Sequence, residues 1–292
     1  MMATFGDSGR MRMSTFATAV LLLTLPCTLP AEEPVPVTIK ASVDWEAGAL
    51  TADFAVDLVQ AGLRLPSGRA EAERLLERWV PELVEPTVLG IIVDSRRTIS
   101  DTLSDGTADP AAFRGFLERG RRLSAVMSRD LRFLEASYEW RLSDLSALYG
   151  SHSTAMPLTP MLTYTPTRAY SGIVVYIQGA LPVRGEYLPG RLVPCLLPRV
   201  YDEDMTVILD RYHVDPSILR SRGSVAYAYA LDDPIIEERA GGDPLRILAS
   251  AAFGSFRTDA IIRRDDALKI LGDPANRDLI RAGRVVFVID RP

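Results

Sequence analysis

Residues 35–45 read Val35-Pro36-Val37-Thr38-Ile39-Lys40-Ala41-Ser42-Val43-Asp44-Trp45, and residues 50–58 read Leu50-Thr51-Ala52-Asp53-Phe54-Ala55-Val56-Asp57-Leu58. Apolar and polar side chains alternate in both stretches, which puts each set on one face of a β-strand. The segment Glu46-Ala47-Gly48-Ala49 separates the two stretches and contains a glycine suited to a turn. The pattern predicts a β-hairpin with one buried face.

The rest of the first half predicts helices and further strands. Residues 67–83 carry apolar side chains at helical spacing, and Pro81 is expected to kink or restart this helix. Residues 89–93 are apolar and predict a buried strand. Residues 109–127 begin with Asp-Pro, a favourable helix start, and predict a helix over their whole length. Alternation returns in residues 132–142 and predicts a strand.

Serine, threonine and proline are frequent in residues 150–168, so we expect a linker there between an N-terminal domain (35–149) and a C-terminal domain (169–292). Strands are predicted at 173–177, 195–201, 205–209, 224–231, 245–252 and 284–290, with a strand and helix at 259–271 and a helix from Asp273-Pro274. The sequence therefore predicts an α+β fold. Each of its two mixed α/β domains is expected to be a mainly antiparallel sheet packed with helices.

Composition limits the classes of partner. The chain has 292 residues, a formal net charge of −5 and 47% hydrophobic residues. A negative balance argues against nucleic acid as a partner, because nucleic-acid binding needs a concentrated basic surface. The length suits one large or two modest domains with a sizeable core.

The common catalytic motifs are missing from the sequence. Lys40 and Lys269 are the two lysines, and neither stands in the Gly-Lys-Ser/Thr arrangement of a phosphate-binding loop. Two histidines, His152 and His213, are too few for a typical zinc site. His213 precedes Asp215 by two residues and could serve as a base, but no Gly-x-Ser-x-Gly elbow accompanies it. We expect no cofactor.

The acidic run Asp202-Glu203-Asp204 is the main candidate for a metal site, because carboxylate oxygens bind calcium. The run does not match the EF-hand motif, because Val207 occupies the position at which that loop requires glycine. We favour a hairpin turn between two strands and keep metal binding as the alternative. Asp232-Asp233 and Asp265-Asp266 are predicted to start helices, where carboxylates favour the positive end of the helix dipole.

Residues 1–31 have the layout of a secretory signal peptide, with two arginines, an apolar run at 15–25 and a small residue, Ala31. That run rises only about 17 Å as a helix, against a hydrocarbon core of about 30 Å. We expect cleavage near Ala31 and an exported protein. Cys27 follows the apolar run and could be lipidated, although Pro26 occupies the position where a small residue is usual.

Cys195 is expected to be structural. It is flanked by apolar residues in a predicted strand, with no histidine or lysine nearby in sequence to activate it. It is also the single cysteine after the presequence, so no internal disulfide is expected in the mature chain.

The chain contains the segments Leu65-Pro66-Ser67-Gly68-Arg69, Val93-Asp94-Ser95, Pro194-Cys195-Leu196-Leu197-Pro198-Arg199-Val200-Tyr201-Asp202-Glu203-Asp204-Met205, Pro244-Leu245-Arg246-Ile247-Leu248-Ala249 and Gly283-Arg284-Val285-Val286-Phe287-Val288-Ile289-Asp290. As a set these resemble a family of uncharacterised exported proteins of spirochaetes. More distantly, the first half is similar to small outer-membrane lipoproteins associated with flagella, and the second half to the domain often fused to them. Neither resemblance implies catalytic residues.

We therefore expect a non-enzymatic, lipoprotein-like protein of the cell envelope, in the periplasm or associated with the outer membrane. Its partners are expected to be envelope or flagellar proteins, without nucleic acid, and with membrane attachment only through Cys27. The alternative is a periplasmic module that binds a small ligand or metal ion through Asp202, Glu203 and Asp204. A hydrolase that uses His213 is the third hypothesis.

Export gives the first testable prediction. N-terminal sequencing of the protein from its native cells is expected to find a chain that begins close to Ala31, because the presequence has the order that signal peptidases process. A cytosolic protein that still begins at Met1 or Met11 would contradict the prediction.

Overall fold

A computed structural model describes residues 36–160 and 166–292 of the chain. The predicted signal peptide (residues 1–31), with Cys27 and the expected cleavage point at Ala31, lies outside the described residues. Residues Pro36–Pro292 form one compact unit with a β-sheet in each half. The predicted linker at 150–168 lies between the sheets in sequence, and the separate stability of the two halves stays a prediction.

The first sheet contains four antiparallel strands in the order β1-β2-β4-β3. These strands are β1 (Val37–Asp44), β2 (Ala49–Asp57), β3 (Arg121–Met127) and β4 (Phe133–Arg141). The N-terminal hairpin is confirmed, with Val37 opposite Val56 and Asp44 opposite Ala49. Alternation buries one face of the sheet, including Leu50, Phe54, Leu134 and Trp140.

Four helices accompany this sheet: α1 (Gly68–Leu89), α2 (Ile99–Ser104), α3 (Pro110–Leu117) and α4 (Leu142–Ser146). In α1, buried residues recur every four positions from Ala72 to Val88 and face the core. The expectation that Pro81 restarts the helix is wrong, because α1 continues through both Pro81 and Pro86. Packing along this continuous apolar stripe offsets the backbone hydrogen bonds that the prolines cannot donate.

The strand predicted at residues 89–93 does not form, since Leu89 is the last residue of α1. The residues that follow pair locally instead, with the Ile99 N–H donating to the Ile91 carbonyl at 2.9 Å. The Leu196 N–H donates to the Ile92 carbonyl at 3.0 Å, and the Leu197 N–H to the Val93 carbonyl at 2.8 Å. The apolar run is thus buried between a turn and a distant loop, which periodicity cannot distinguish from a strand.

The helix predicted over residues 109–127 ends at Leu117, and its second part is strand β3. Gly120 stands between the two elements, where the Trp140 ring leaves no space for a side chain. Beyond it, the backbone of β3 pairs with β4 from Arg121 opposite Glu139 to Met127 opposite Leu134. Pairing with an existing sheet therefore overrides the helical spacing of the apolar residues.

The second sheet contains seven strands in the order β7-β6-β10-β9-β5-β11-β8. They are β5 (Ile173–Ile177), β6 (Val200–Tyr201), β7 (Val207–Leu209), β8 (Ala226–Ala228), β9 (Leu245–Phe253), β10 (Asp259–Ile262) and β11 (Val285–Ile289). The α+β class is confirmed. The expectation of a mainly antiparallel second sheet is corrected in one respect, since most of its strand pairs are parallel.

Helical connections explain the parallel pairs. The second half contains α5 (Pro216–Arg222), α6 (Pro234–Ala240), α7 (Arg264–Leu271) and α8 (Pro274–Arg281). The chain crosses from β8 to β9 through α6, and both strands run parallel to the β11–β5 pair that lies between them. The predicted strand at 195–201 is reduced to Val200–Tyr201, because the preceding residues are a loop that bonds to residues 92 and 93.

Four helices begin with an Asp-Pro pair: Asp109-Pro110, Asp215-Pro216, Asp233-Pro234 and Asp273-Pro274. Each aspartate carboxylate accepts a hydrogen bond from the backbone N–H two residues later, at 2.8–3.0 Å. Proline in the first turn loses no helical hydrogen bond, because that N–H has no partner within the helix. The predicted helix starts at positions 109, 233 and 273 are confirmed, and Asp265 and Asp266 lie in the first turn of α7.

The buried core around the first sheet includes side chains from both halves of the chain. Leu196, Leu197, Val214 and Leu219 pack in the same cluster as Phe54 and Trp140. Within residues 36–160 and 166–292, no helix combines the length and hydrophobicity needed to cross a bilayer.

Two glycines give a matched test of this packing. A Cβ on Gly120 would stand 2.4 Å from a ring carbon of Trp140, whereas a Cβ on Gly115 in α3 would meet nothing within 4 Å. We expect Gly120→Ala to lower the free energy of unfolding by about 1–3 kcal/mol through overpacking. We expect Gly115→Ala to raise it by about 0.4–1 kcal/mol, because alanine loses less backbone entropy in a helix. Urea denaturation measures both changes, and equal effects at the two positions would contradict the packing.

Candidate functional site

A cleft of about 350 Å³ lies between the two sheets. Its walls are the turn between β1 and β2, the junction of β4 with α4, and the segment from the end of α5 through β8 to α6. Sites for small molecules occupy about 300–1,000 Å³ and often lie between substructures. This sheet–sheet cleft is therefore the candidate site of the described residues.

Two aromatic rings form the apolar wall of the cleft. Trp45 follows β1 and meets Tyr227 of β8 edge to face, with 5.6 Å between the ring centroids. The Tyr227 hydroxyl donates to the Cys195 carbonyl at 2.8 Å and accepts from the Cys195 N–H at 3.0 Å. Burial raises the pKa of Tyr227 well above its usual range. The Tyr227 ring is thus a fixed, neutral surface.

Arg239 of α6 is the most deeply buried basic group of the cleft, with 3% of its surface exposed. Its guanidinium donates to three backbone carbonyls, those of Gly283 at 2.6 Å, Arg222 at 3.0 Å and Gly223 at 2.7 Å. Burial, followed by repulsion from Arg222, lowers the pKa of Arg239 to about 10, so the side chain stays cationic at neutral pH. Among the described residues, no carboxylate forms an ion pair with it.

The acidic side chains of the cleft already have basic partners. Glu139 pairs with Arg121 at 3.1 Å, Glu238 with Arg222 at 3.7 Å, and Glu46 with Arg291 at 3.7 Å. Arg141, at the end of β4, has no carboxylate partner within the part of the chain that the structure describes. Two arginines of the cleft, Arg141 and Arg239, therefore form no ion pair among the described residues, although the charge of Glu238 acts on Arg239.

A buried carboxyl group lies at the start of β10. Asp259 is fully buried, and its Oδ1 accepts from the Arg199 N–H at 3.1 Å and from the Thr258 hydroxyl at 3.2 Å. Its Oδ2 is buried without a hydrogen-bond partner. Burial raises the pKa of Asp259 to about 6. The polar pair Thr258-Asp259 before an apolar strand was the only sequence signal for this group, and it does not indicate burial.

The loop of residues 181–190 is held firmly and presents apolar side chains to solvent. Leu181 and Gly190 exchange two backbone hydrogen bonds of 2.9 Å, and the Arg184 N–H donates to the Ala252 carbonyl at 2.9 Å. Glu186 forms an ion pair of 2.6 Å with Arg257. At its tip, Tyr187 is fully exposed and Leu188 is 74% exposed.

Comparison with known protein families adds to this geometry. Residues 36–148 match the family model for the N-terminal domain of Treponema pallidum Tp0624, and residues 172–291 match the model for its second domain. The chain carries two domains of the Tp0624 type. No curated protein matches the chain. The resemblance to a spirochaete protein family is confirmed, while the resemblance to flagella-associated lipoproteins stays a prediction.

The acidic run lies in the second Tp0624-type domain, in the turn between β6 and β7, as the sequence indicated. Asp202 is buried, and its Oδ1 accepts from the backbone N–H groups of Asp204 at 3.0 Å and Thr206 at 2.7 Å. Asp204 pairs with Arg264 at 2.7 Å, and Glu203 accepts from the Arg264 N–H at 3.3 Å. These carboxylates stabilise the turn and its contact with α7. Among the described residues, no cluster of three or more potential metal ligands occurs.

The two histidines also lie in the described part of this chain. His213 belongs to a short 3₁₀ turn at Arg211–His213, and burial lowers its pKa. Asp215, the possible orienting carboxylate, instead accepts from the Ser217 N–H at 2.8 Å and caps α5. His152 Nε2 donates to the Val214 carbonyl at 3.0 Å. The His213–Asp215 pair is therefore not arranged as a base with its orienting group.

Cys195 is fully buried and carries a free thiol. Its burial was predicted and is confirmed, although the residue lies in the loop before β6 and not in a strand. Burial, with repulsion from the nearby Asp259, raises the pKa of the thiol far above its ordinary value. Its chemical inertness stays a prediction.

Asp259 gives a prediction about pH. Because its pKa is about 6 in the folded protein and lies near 3.9 in an unfolded chain, the folded state binds the proton more tightly. The free energy of unfolding is therefore expected to fall by about 2–3 kcal/mol through this group as pH rises from 4 to 6. In Asp259→Asn this part of the pH dependence is expected to disappear, whereas Asp53→Asn, an exposed control, should retain it. Urea denaturation at pH 4, 5, 6 and 7 measures the difference, and identical pH profiles for all three proteins would contradict the assignment.

Proposed function

We propose that the protein is a non-enzymatic component of the cell envelope that acts through contacts with other envelope proteins. Its place is the periplasm or the inner face of the outer membrane, and flagellar or outer-membrane proteins are its partners. The observation that carries the proposal is the firmly held loop at 181–190, which exposes Tyr187 and Leu188 at its tip.

The geometry of this loop favours protein recognition. Isolated apolar side chains are common on protein surfaces, but two adjacent large ones at the tip of a well-bonded loop are better explained by a contact surface. Tyrosine is enriched among the residues that dominate binding energy, because it buries a large area and loses little conformational entropy. A loop fixed by backbone bonds and the Glu186–Arg257 ion pair also requires little ordering when it binds.

The remaining polar groups support a role other than catalysis. Asp215 caps a helix, Asp202 holds a turn, and the Cys195 thiol is buried with a raised pKa. The presequence supports export to the envelope, and the two Tp0624-type domains support a spirochaete-type protein.

Photo-cross-linking tests the proposal in the native cells. A benzophenone amino acid at position 187 is expected to give one discrete adduct with a protein that fractionates with the envelope. The same residue at position 248 is the control, because Leu248 is 71% exposed in β9 but lies outside the loop. Adducts of equal yield at both positions, or an exclusively cytosolic partner, would reject the proposal.

Substitution measures the energetic contribution of the loop. The double variant Tyr187→Ala/Leu188→Ala is expected to weaken binding to the cross-linked partner by at least about tenfold, which corresponds to about 1.4 kcal/mol. Its free energy of unfolding should change by less than about 0.5 kcal/mol for each exposed site. Leu248→Ala serves as the matched control and should bind normally. Unchanged binding by the double variant would contradict the role of the loop.

A further inference from the structure

We propose that the sheet–sheet cleft binds a small organic anion, whose charged group is held by Arg141 and Arg239 and whose apolar part lies against Trp45 and Tyr227. This site is separate from the loop at 181–190. Its failure in an experiment would leave the proposed function unaffected.

Arg239 carries a buried positive charge that its hydrogen bonds offset only in part. Of the five N–H donors of a guanidinium group, hydrogen bonds to the carbonyls of Arg222, Gly223 and Gly283 use three. Those carbonyls lie at the end of α5 and just after α8, so they offset part of the charge through their dipoles. They are not anions, and a buried cation that forms no ion pair attracts an anion. One N–H on Nη1 and one on Nη2 are left for the oxygens of a carboxylate or phosphate.

Charged side chains are unevenly paired around the cleft. The carboxylates of Glu46, Glu139 and Glu238 each lie within 4.0 Å of an arginine. Within residues 36–160 and 166–292, the lining arginines Arg141 and Arg239 form no such pair. The cleft is lined by three glutamates and three arginines, so its positive character is local and lies at the two arginines that form no ion pair, in a chain with a net charge of −5. A local positive site on an acidic protein favours a small anion over a large polyanion such as nucleic acid.

The apolar wall of the cleft suits the apolar part of such a ligand. Trp45 and Tyr227 meet at 5.6 Å between ring centroids, and the Tyr227 hydroxyl is already satisfied by the backbone of Cys195. Trp45 is half-buried and offers ring surface to the cleft, and Tyr227, which is 4% exposed, backs that surface without loss of a hydrogen bond. The volume of about 350 Å³ accommodates one or two rings with an anionic substituent. The ligand class is thus an aromatic or aliphatic carboxylate or phosphate ester.

Calorimetric titration of the whole chain tests this inference with three probes. 1-Naphthyl phosphate combines the two features and is expected to bind saturably at one site. 1-Naphthol lacks the charge and inorganic phosphate lacks the rings, so each is expected to bind at least tenfold more weakly. The affinity for 1-naphthyl phosphate should also decrease as salt is added, because the contact is electrostatic.

Arg141→Gln is the informative variant, because Arg141 is exposed and Arg239 also holds the fold through three carbonyls. It is expected to weaken 1-naphthyl phosphate binding at least tenfold with an unchanged midpoint of thermal unfolding. Arg114→Gln, an exposed residue of α3 outside the cleft, is the matched control and should bind as the unaltered protein does. Absence of saturable binding at millimolar concentration, equal binding of 1-naphthol, or normal binding by Arg141→Gln would overturn the proposal.

Discussion

The Tyr227 side chain makes the contact on which much of the arrangement of the two sheets depends, because its hydroxyl bonds twice to the backbone of Cys195 while its ring meets Trp45. A buried N–H and a buried carbonyl in an irregular loop would be costly without partners, and one hydroxyl satisfies both. The same ring packs against Trp45 of the first sheet and against Phe287 of β11, at centroid distances of 5.6 and 6.0 Å. One side chain thus connects the N-terminal hairpin, the loop before β6 and the second sheet.

Arginine has a similar connecting role elsewhere in the molecule. Arg239 joins the end of α5 to the turn after α8, and Arg257 ties the loop at 181–190 to the region after β9. The planar guanidinium group can donate to several acceptors at once, which an ammonium group on a flexible stem cannot do in the same fixed geometry. Where these groups meet carbonyls and not carboxylates, as at Arg239, positive charge is left over. Arg239 therefore gives the cleft a local positive group.

The outcomes for particular elements show where sequence patterns are informative. The alternation of apolar and polar residues within 35–58 correctly predicted the hairpin, and the Asp-Pro pairs correctly predicted the starts of α3 and α8. Both signals arise from backbone geometry within a few residues. Residues 89–93 and 121–127 were misassigned, because their conformation depends on hydrogen bonds to residues 196–197 and to β4. The parallel pairing of β5 with β9 and β11 was missed as well, since alternation specifies a strand but not its neighbours.

By itself, the sequence determined the α+β class, the N-terminal hairpin, the burial of Cys195 and the turn at residues 202–204, because each follows from local periodicity, turn chemistry or hydrophobicity. Only the tertiary structure decided the sheet order, the burial of Asp259 and the union of Trp45, Arg141, Tyr227 and Arg239 around one cleft. Those four residues are separated by up to 194 positions in the chain. No local sequence pattern predicts that these residues lie close together, because the packing of the whole chain brings them together.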